Sequence, residues 1–182
     1  CNFPLASKVR QLTVYLRDIV RYSVMKKLSL VISVYNEEEN IVPLVEQISA
    51  ALKDFDYETI FVDDGSSDST VSTIRGIHDP HIHLVELKRN YGQSSALAAG
   101  IDHASGDYII TLDGDLQNDP SDIPSMVALA EEGEWDVVVG IRKNRKDDFF
   151  IRKIPSIIAN SVIRRTTGVK IKDNGCALKV FR

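Results

Sequence analysis

From residue 28 onward, short apolar runs alternate with segments of helical periodicity, and this alternation constrains the fold more than any other feature of the chain. LSLVISV (28–34) reads as a buried strand, and EENIVPLVEQISAAL (38–52) as an amphipathic helix with Ile41, Leu44, Val45, Ile48 and Leu52 on one face. YETIFV (57–62) is a second strand, stopped by DDGSSD, where Ser67 or Asp68 is placed to cap a short helix running to Arg75. HIHLVEL (81–87), DYIITL (107–112) and DVVVGI (136–141) read as further strands, and GQSSALAAGIDHA (92–104), 121–132 and 155–167 as helices. Strands alternating with helices predict an α/β fold, a Rossmann-like, mostly parallel, doubly wound sheet with helices on both faces. Ligands of such sheets bind beyond the carboxyl ends of the strands, so the loops there are the place to look for function.

Those loops are unusual in composition. Strand one ends in YNEEEN, strand two in DDGSSD, the strand at 107–112 in DGDLQND, and the strand at 136–141 runs into GIRKNRKDD. Asp113 and Asp115 lie two apart at a strand end, so both carboxylates can turn toward one point, and Gln117 adds a neutral oxygen. Such hard oxygen ligands suit Mg²⁺ or Mn²⁺, which leave the rest of their octahedron to water and phosphate oxygens. An acidic strand-end loop can also do no more than cap the next helix. In VDDGSSDST (62–70), Asp63 and Asp64 can receive donors from a base or ribose, or accept backbone N–H groups, while Gly65 allows the tight turn. Tyr35 can stack on a base and Glu37 hydrogen-bond it, and Arg142 can reach a diphosphate as a bidentate donor. Lys143, Arg145 and Lys146 read as a solvated or lipid-facing run, and His81 and His83 as a surface pair rather than a metal pair.

Absent motifs narrow the classes. There is no G-x-G dinucleotide fingerprint, no G-x-x-x-x-G-K-[ST] phosphate loop, no H-E-x-x-H and no C-x-x-C. Dehydrogenase, P-loop ATPase and zinc-hydrolase readings lose support accordingly. Charge is segregated: residues 1–27 hold six bases against one acid, residues 142–182 twelve against three, and residues 28–141 four against 22. An acidic body with basic ends argues against nucleic acid as a partner and fits a cation site in the middle with an anionic partner or membrane surface near the ends. Cys1 and Cys176 have neither metal nor redox spacing, which makes a reduced, cytosolic setting the default. No run of 18 apolar residues is present. Residues 1–27 form a basic amphipathic extension, with Val9, Leu12, Leu16 and Ile19 at helical spacing, that suits a membrane surface, a neighbouring helix or non-native sequence. A start at Cys1 suggests a leader, a processed end or an artificial boundary, with Met25 available as a natural start.

Together, SVYNEEENI, VDDGSSDST, KRNYGQSSALAAGIDHASGDYIITLDGDLQNDP, VVVGIRKNRKDD and DNGCALKVFR, in this order and spacing, resemble family 2 glycosyltransferases of the GT-A fold. The likeness covers residues 28–182 and is greatest to the polyprenyl-phosphate branch, which includes dolichyl-phosphate mannose synthase and undecaprenyl-phosphate sugar transferases. It implies a GT-A catalytic domain over 28–182 and a nucleotide-diphosphosugar donor, a UDP-sugar by default or a GDP-sugar for a mannose-type donor. By the same resemblance Tyr35, Glu37, Val62 and Asp64 match nucleoside-binding positions, and Asp113, Gly114 and Asp115 match the D-x-D. Gln117 matches a further metal or diphosphate contact, Arg142 a diphosphate contact, and Asp173 to Ala177 a motif near the acceptor. Ser33 stands where many relatives have proline, and Ala177 where the terminal motif usually has glycine or serine.

The implied reaction is a metal-dependent, inverting sugar transfer to a polyprenyl phosphate on the cytoplasmic side of a membrane, by a chain that can also self-associate. A lipid phosphate is already ionised at neutral pH and needs no general base, and the sequence offers no base candidate. Relatives of this branch continue into an acceptor-binding segment and commonly two transmembrane helices, so 1–182 reads as a catalytic domain cut from something longer. Three alternatives compete. A polysaccharide glycosyltransferase would take a sugar hydroxyl and need an acidic base. A nucleotidyltransferase would need a Gly-rich basic loop after strand one, which YNEEEN is not. A non-catalytic nucleotide-binding module would suit the truncated chain.

Overall fold

The computed structural model describes residues 26–141 and 175–182. β1 (Leu28–Val34) is followed by α1 (Ile41–Leu52), β2 (Tyr57–Asp63), α2 (Thr70–Arg75), β3 (Ile82–Glu86) and α3 (Gln93–His103). β4 (Tyr108–Asp113), a 3₁₀ turn (Pro120–Asp122), α4 (Ile123–Glu132), β5 (Val137–Val139) and β6 (Lys179–Phe181) complete the described chain. The helix expected at 155–167 lies outside the described residues, as do residues 1–25.

The sheet runs β3-β2-β1-β4-β6-β5. β1 pairs in parallel with β2 and with β4, and β2 with β3, while β6 is antiparallel to both β4 and β5. The α/β, mostly parallel expectation therefore holds, with one strand the sequence reading did not foresee. β6 is three residues long and follows the long 142–174 stretch, too short a run for period-2 alternation to stand out.

Apolar positions explain which strand is central. Leu28, Leu30, Ile32 and Val34 of β1 face α1 and α4, with Phe61, Ile110, Leu112 and Val180 beside them. On the other face Val31, Ile60 and Val62 meet Ala96 of α3. Strands buried on both sides read as near-continuous apolar runs, which is how LSLVISV of β1 and TIFV of β2 appear in the sequence. α1 buries Ile41, Leu44, Ile48 and Leu52, with Val45 partly buried beside them. It begins three residues later than its periodicity suggests because residues 38–40 form a turn, closed by Asn40 N–H donating to the Glu37 carbonyl at 2.9 Å. α3 lies close because it is small-faced: a Cβ on Gly100 would come within 2.4 Å of Val31 Cγ1 and 2.8 Å of Val62 Cγ2.

Candidate active site at the carboxyl ends of the strands

β1 and β2 end side by side, Val34 opposite Asp63, and Ser33 is opposite Asp113 of β4. Their loops therefore emerge together, and hydrogen bonds lace the first two. Asn36 N donates to Ser66 Oγ, and Asn36 Oδ1 accepts from Ser67 N at 2.8 Å. Glu38 Oε2 accepts from Ser69 N at 2.7 Å, and Glu37 N donates to Thr70 Oγ1 at 2.8 Å. Asp68 Oδ1 takes both Thr70 N and Thr70 Oγ1, so it holds the first residue of α2 from one position before the N-cap, which is Ser69 rather than the expected Ser67 or Asp68. Asn36, Glu38 and residues 66–70 thus hold the rim, leaving Tyr35 and Glu37 to face inward.

What they face is a pocket of about 350 Å³. Six of the nine expected site residues line it: Tyr35, Glu37, Asp64, Asp113, Gly114 and Asp115. Tyr35 is 47% exposed, a ring available for stacking. The Glu37 carboxylate is held by Asn40 Nδ2 at 2.5 Å. Asp115 Oδ1 accepts from Gln117 N at 3.1 Å across a turn in which Leu116 takes a positive φ of 59°. Gly114 is buried against β1, where a Cβ would come within 2.8 Å of Val34 Cγ1, so the residue between the two aspartates has to be small.

Of the other three, two fall elsewhere and one is not described. Val62 is fully buried on the α3 side of the sheet, because period 2 turns its side chain to the same face as Ile60. Gln117 is exposed, and it meets Asp115 through its backbone rather than as a lining side chain. Arg142 lies outside the described residues, as do Lys143, Arg145, Lys146, Asp173 and Asn174. The terminal motif nevertheless reaches the neighbourhood: the Ala177 carbonyl accepts from Thr111 Oγ1 at 2.7 Å, and Cys176 Sγ lies 3.8 Å from Asn118 Oδ1.

The sequence reading missed the third loop. Asn90, Gly92 and Gln93 also line the pocket. Asp64, read as a nucleoside contact, grips this loop: its Oδ1 accepts from Tyr91 N at 2.7 Å and its Oδ2 from Gly92 N at 2.8 Å. Each carboxylate oxygen has a second lone pair, so Asp64 can hold the loop and still accept from a ribose. The signal was available, since β3 ends at the same edge and a glycine stands directly before a helix in NYGQ.

His81 and His83 are the surface pair expected: His81 stacks on Tyr57 at 4.7 Å and sits 2.7 Å from Asp79, while His83 lies 3.9 Å from Glu58. Among the described residues no three His, Cys, Asp or Glu side chains converge as a metal cage. Asp113 and Asp115 in one pocket still fit Mg²⁺ or Mn²⁺, because in phosphate sites these ions take one or two carboxylates and draw their remaining ligands from water and substrate. No cation among the described residues pairs with Glu37, Asp64 or Asp115, so the described lining of the pocket is acidic.

The family model described as glycosyl transferase family 2 matches residues 29–182, and the chain belongs to that family. Dodecaprenyl-phosphate galacturonate synthase of Rhizobium johnstonii is 53% identical over 161 residues, 86% of this chain and 48% of the relative. Undecaprenyl-phosphate 4-deoxy-4-formamido-L-arabinose transferase of Yersinia pestis is 48% identical over 163 residues, 87% of this chain and 49% of the relative. The chain spans about half the length of the curated relatives it matches. Among solved structures, glucosyl-3-phosphoglycerate synthase from Mycobacterium tuberculosis with Mn²⁺ and UDP-glucose superposes with a TM-score of 0.70 at 19% identity, covering 90% of this chain and 58% of that one. At that identity the likeness supports the GT-A-like fold alone. No helix among the described residues is long and apolar enough to cross a membrane.

Proposed function

We propose that this domain binds a nucleotide-diphosphosugar and transfers its sugar, with inversion, to a polyprenyl phosphate at the cytoplasmic face of a membrane. One observation carries the reading: a carboxylate-lined pocket at the strand ends, bearing both D-x-D aspartates, in a chain 53% identical to a polyprenyl-phosphate sugar transferase.

In this reading Tyr35 stacks on the base, Glu37 accepts from a base N–H, and Asp64 accepts from the ribose. Asp113 and Asp115 would hold a Mg²⁺ or Mn²⁺, whose chemistry is to neutralise the charge that develops on the departing diphosphate. Gly114, packed on Val34 where a Cβ would clash, keeps the backbone between the two aspartates close against β1 at the diphosphate's end of the pocket. Arg142, which follows β5 in the sequence, would complete the anion's surroundings. An oxygen of the lipid phosphate attacks the anomeric carbon from the face opposite the leaving group. The new carbon–oxygen bond forms as the bond to the diphosphate breaks, and the electron pair leaves with the nucleoside diphosphate. The acceptor oxygen is already anionic at neutral pH, so no side chain has to remove a proton.

The test is thermal stabilisation of the chain by UDP, GDP, CDP and dTDP, each with Mn²⁺ and with EDTA. A ligand at ~100 times its dissociation constant adds about 2.7 kcal/mol, a readily measured shift. Stabilisation by one nucleotide that depends on Mn²⁺ supports the donor site and names the base. Absence of any shift with all four overturns the donor reading for this chain.

A further inference from the structure

The third loop joins the two halves of the pocket physically. Asp64, on the nucleoside side, fixes the backbone N–H groups of Tyr91 and Gly92. Gly92 has φ 91° and ψ 152°, a conformation that side-chain-bearing residues rarely adopt, and the chain enters α3 at the next residue. That residue is Gln93, whose Nε2 donates to Asp113 Oδ1 at 2.6 Å. The orientation of the amide follows from chemistry, since a carboxylate accepts and only the amide nitrogen can donate to it. α3 cannot slide to relax this contact, because Ala96 is fully buried and Gly100 leaves no room between the helix and Val31 or Val62. Gln93 itself is exposed and contributes nothing to the core.

We propose that Gln93 is a positioning residue for Asp113: an uncharged donor, anchored through the Asp64-held loop, that aims the first D-x-D carboxylate without cancelling its charge. The inference rests on the donor-site reading above. A lysine or arginine in this place would hold the carboxylate equally well but would compete with the divalent cation for it. An amide holds it without itself supplying a counter-charge. Nucleoside recognition and cation binding thereby share one rigid connection of backbone and amide.

The test compares the affinity of the wild-type chain, Gln93→Ala and Gln93→Lys for UDP and for GDP, each with Mn²⁺ and with EDTA. The ligand-free melting temperature is recorded for every variant. Gln93→Ala should melt like wild type and bind nucleotide in EDTA within about twofold of it, while the gain in affinity on adding Mn²⁺ falls about tenfold, the size of a lost charge-assisted hydrogen bond. Gln93→Lys should bind more tightly than wild type in EDTA and gain less from Mn²⁺. A Mn²⁺ gain in Gln93→Ala equal to wild type, or an equal loss with and without the metal, overturns the positioning role. A full wild-type gain in Gln93→Lys overturns the requirement for an uncharged donor. A wild-type chain that binds neither nucleotide under either condition removes the donor site itself, and the inference with it. Failure confined to the variants touches Gln93 alone.

Discussion

Both ends of this sheet carry carboxylates at the tips of its central strands, yet the chain treats them in opposite ways. At the amino end, Glu58 is 7% exposed and receives four donors: Lys27 Nζ at 2.8 Å, Ser29 Oγ at 2.5 Å, Ser105 N at 2.8 Å and Ser105 Oγ at 2.9 Å. Burial alone would raise its pKa, but the bonds from Lys27, Ser29 and Ser105 outweigh that and hold it at about 2. At the carboxyl end, Glu37, Asp64 and Asp115 accept only from amides and backbone N–H groups, with no cation beside them among the described residues. One end answers its own charge, and the other, among the described residues, does not. The same residue types therefore stabilise the fold in one place and, in the proposed reading, offer a cation site in the other, roughly 20 Å away along a seven-residue strand.

The largest effect should follow from removing charge at the carboxyl end. Asp115→Ala is expected to abolish Mn²⁺-dependent stabilisation by nucleotide and to lower sugar transfer by about 10³-fold, the scale of losing electrostatic stabilisation of a leaving group. The ligand-free melting temperature should stay the same or rise, because Asp115 is a partly exposed residue in an acidic loop. A large fall in ligand-free stability would erase the contrast between the two ends.

That contrast was only half visible in the sequence. The acidic loops after β1, β2 and β4 stand out because buried runs end abruptly in charge, and six of nine expected residues do line one pocket. Glu58 does not stand out, since its partners Lys27, Ser29 and Ser105 are up to 47 residues away and meet it only once β1, β2 and the α3–β4 loop are side by side. Gln93 was missed for a related reason: a lone glutamine at a helix start carries no local pattern, and its 20-residue separation from Asp113 is closed by tertiary packing. Val62 differs in another way, because a resemblance matches positions whereas the pleat turns this side chain to the α3 face of the sheet. β6 was hidden by its brevity and its place beyond residue 174.

Next in size are two changes at the self-satisfied end and in the core. Glu58→Gln replaces an acceptor for four donors by a neutral amide, and should cost roughly 2–4 kcal/mol in chemical denaturation. Nucleotide affinity of the folded fraction should not change. Because the Glu58 pKa is lowered from 4.5 to about 2 on folding, its contribution is complete above pH 4.5 and is lost as pH falls toward 2. The wild-type melting temperature should drop through that window more steeply than that of Glu58→Gln, and parallel curves would count against the network. Gly100→Ala should cost about 1–3 kcal/mol by pressing a methyl group against Val31 and Val62. It should also shift α3, and with it Gln93, so this substitution alone ought to weaken both stability and the Mn²⁺ gain.

The smallest effect is expected at Asp63, beside the pocket but turned away from it. Its Oδ2 accepts from Gly65 N at 3.1 Å and Ser66 N at 3.0 Å, which closes the turn after β2. Its Oδ1 is buried and has no hydrogen-bond partner among the described residues. Asp63 is thus a carboxylate at the same end that does not line the pocket and has no counter-charge among the described residues. An asparagine in its place would keep one acceptor for the two backbone donors while removing a buried charge and replacing the unpaired oxygen by an unpaired amide. These two changes oppose each other, so Asp63→Asn should alter unfolding free energy by less than about 1 kcal/mol and leave nucleotide affinity untouched. Asp64→Asn, one residue on, should behave differently, because an amide cannot accept from Tyr91 N and Gly92 N on both sides at once. Equal consequences for the two neighbours, measured by nucleotide affinity in Mn²⁺, would mean that the division between charge kept for the fold and charge offered to a ligand does not run between adjacent residues of the same loop.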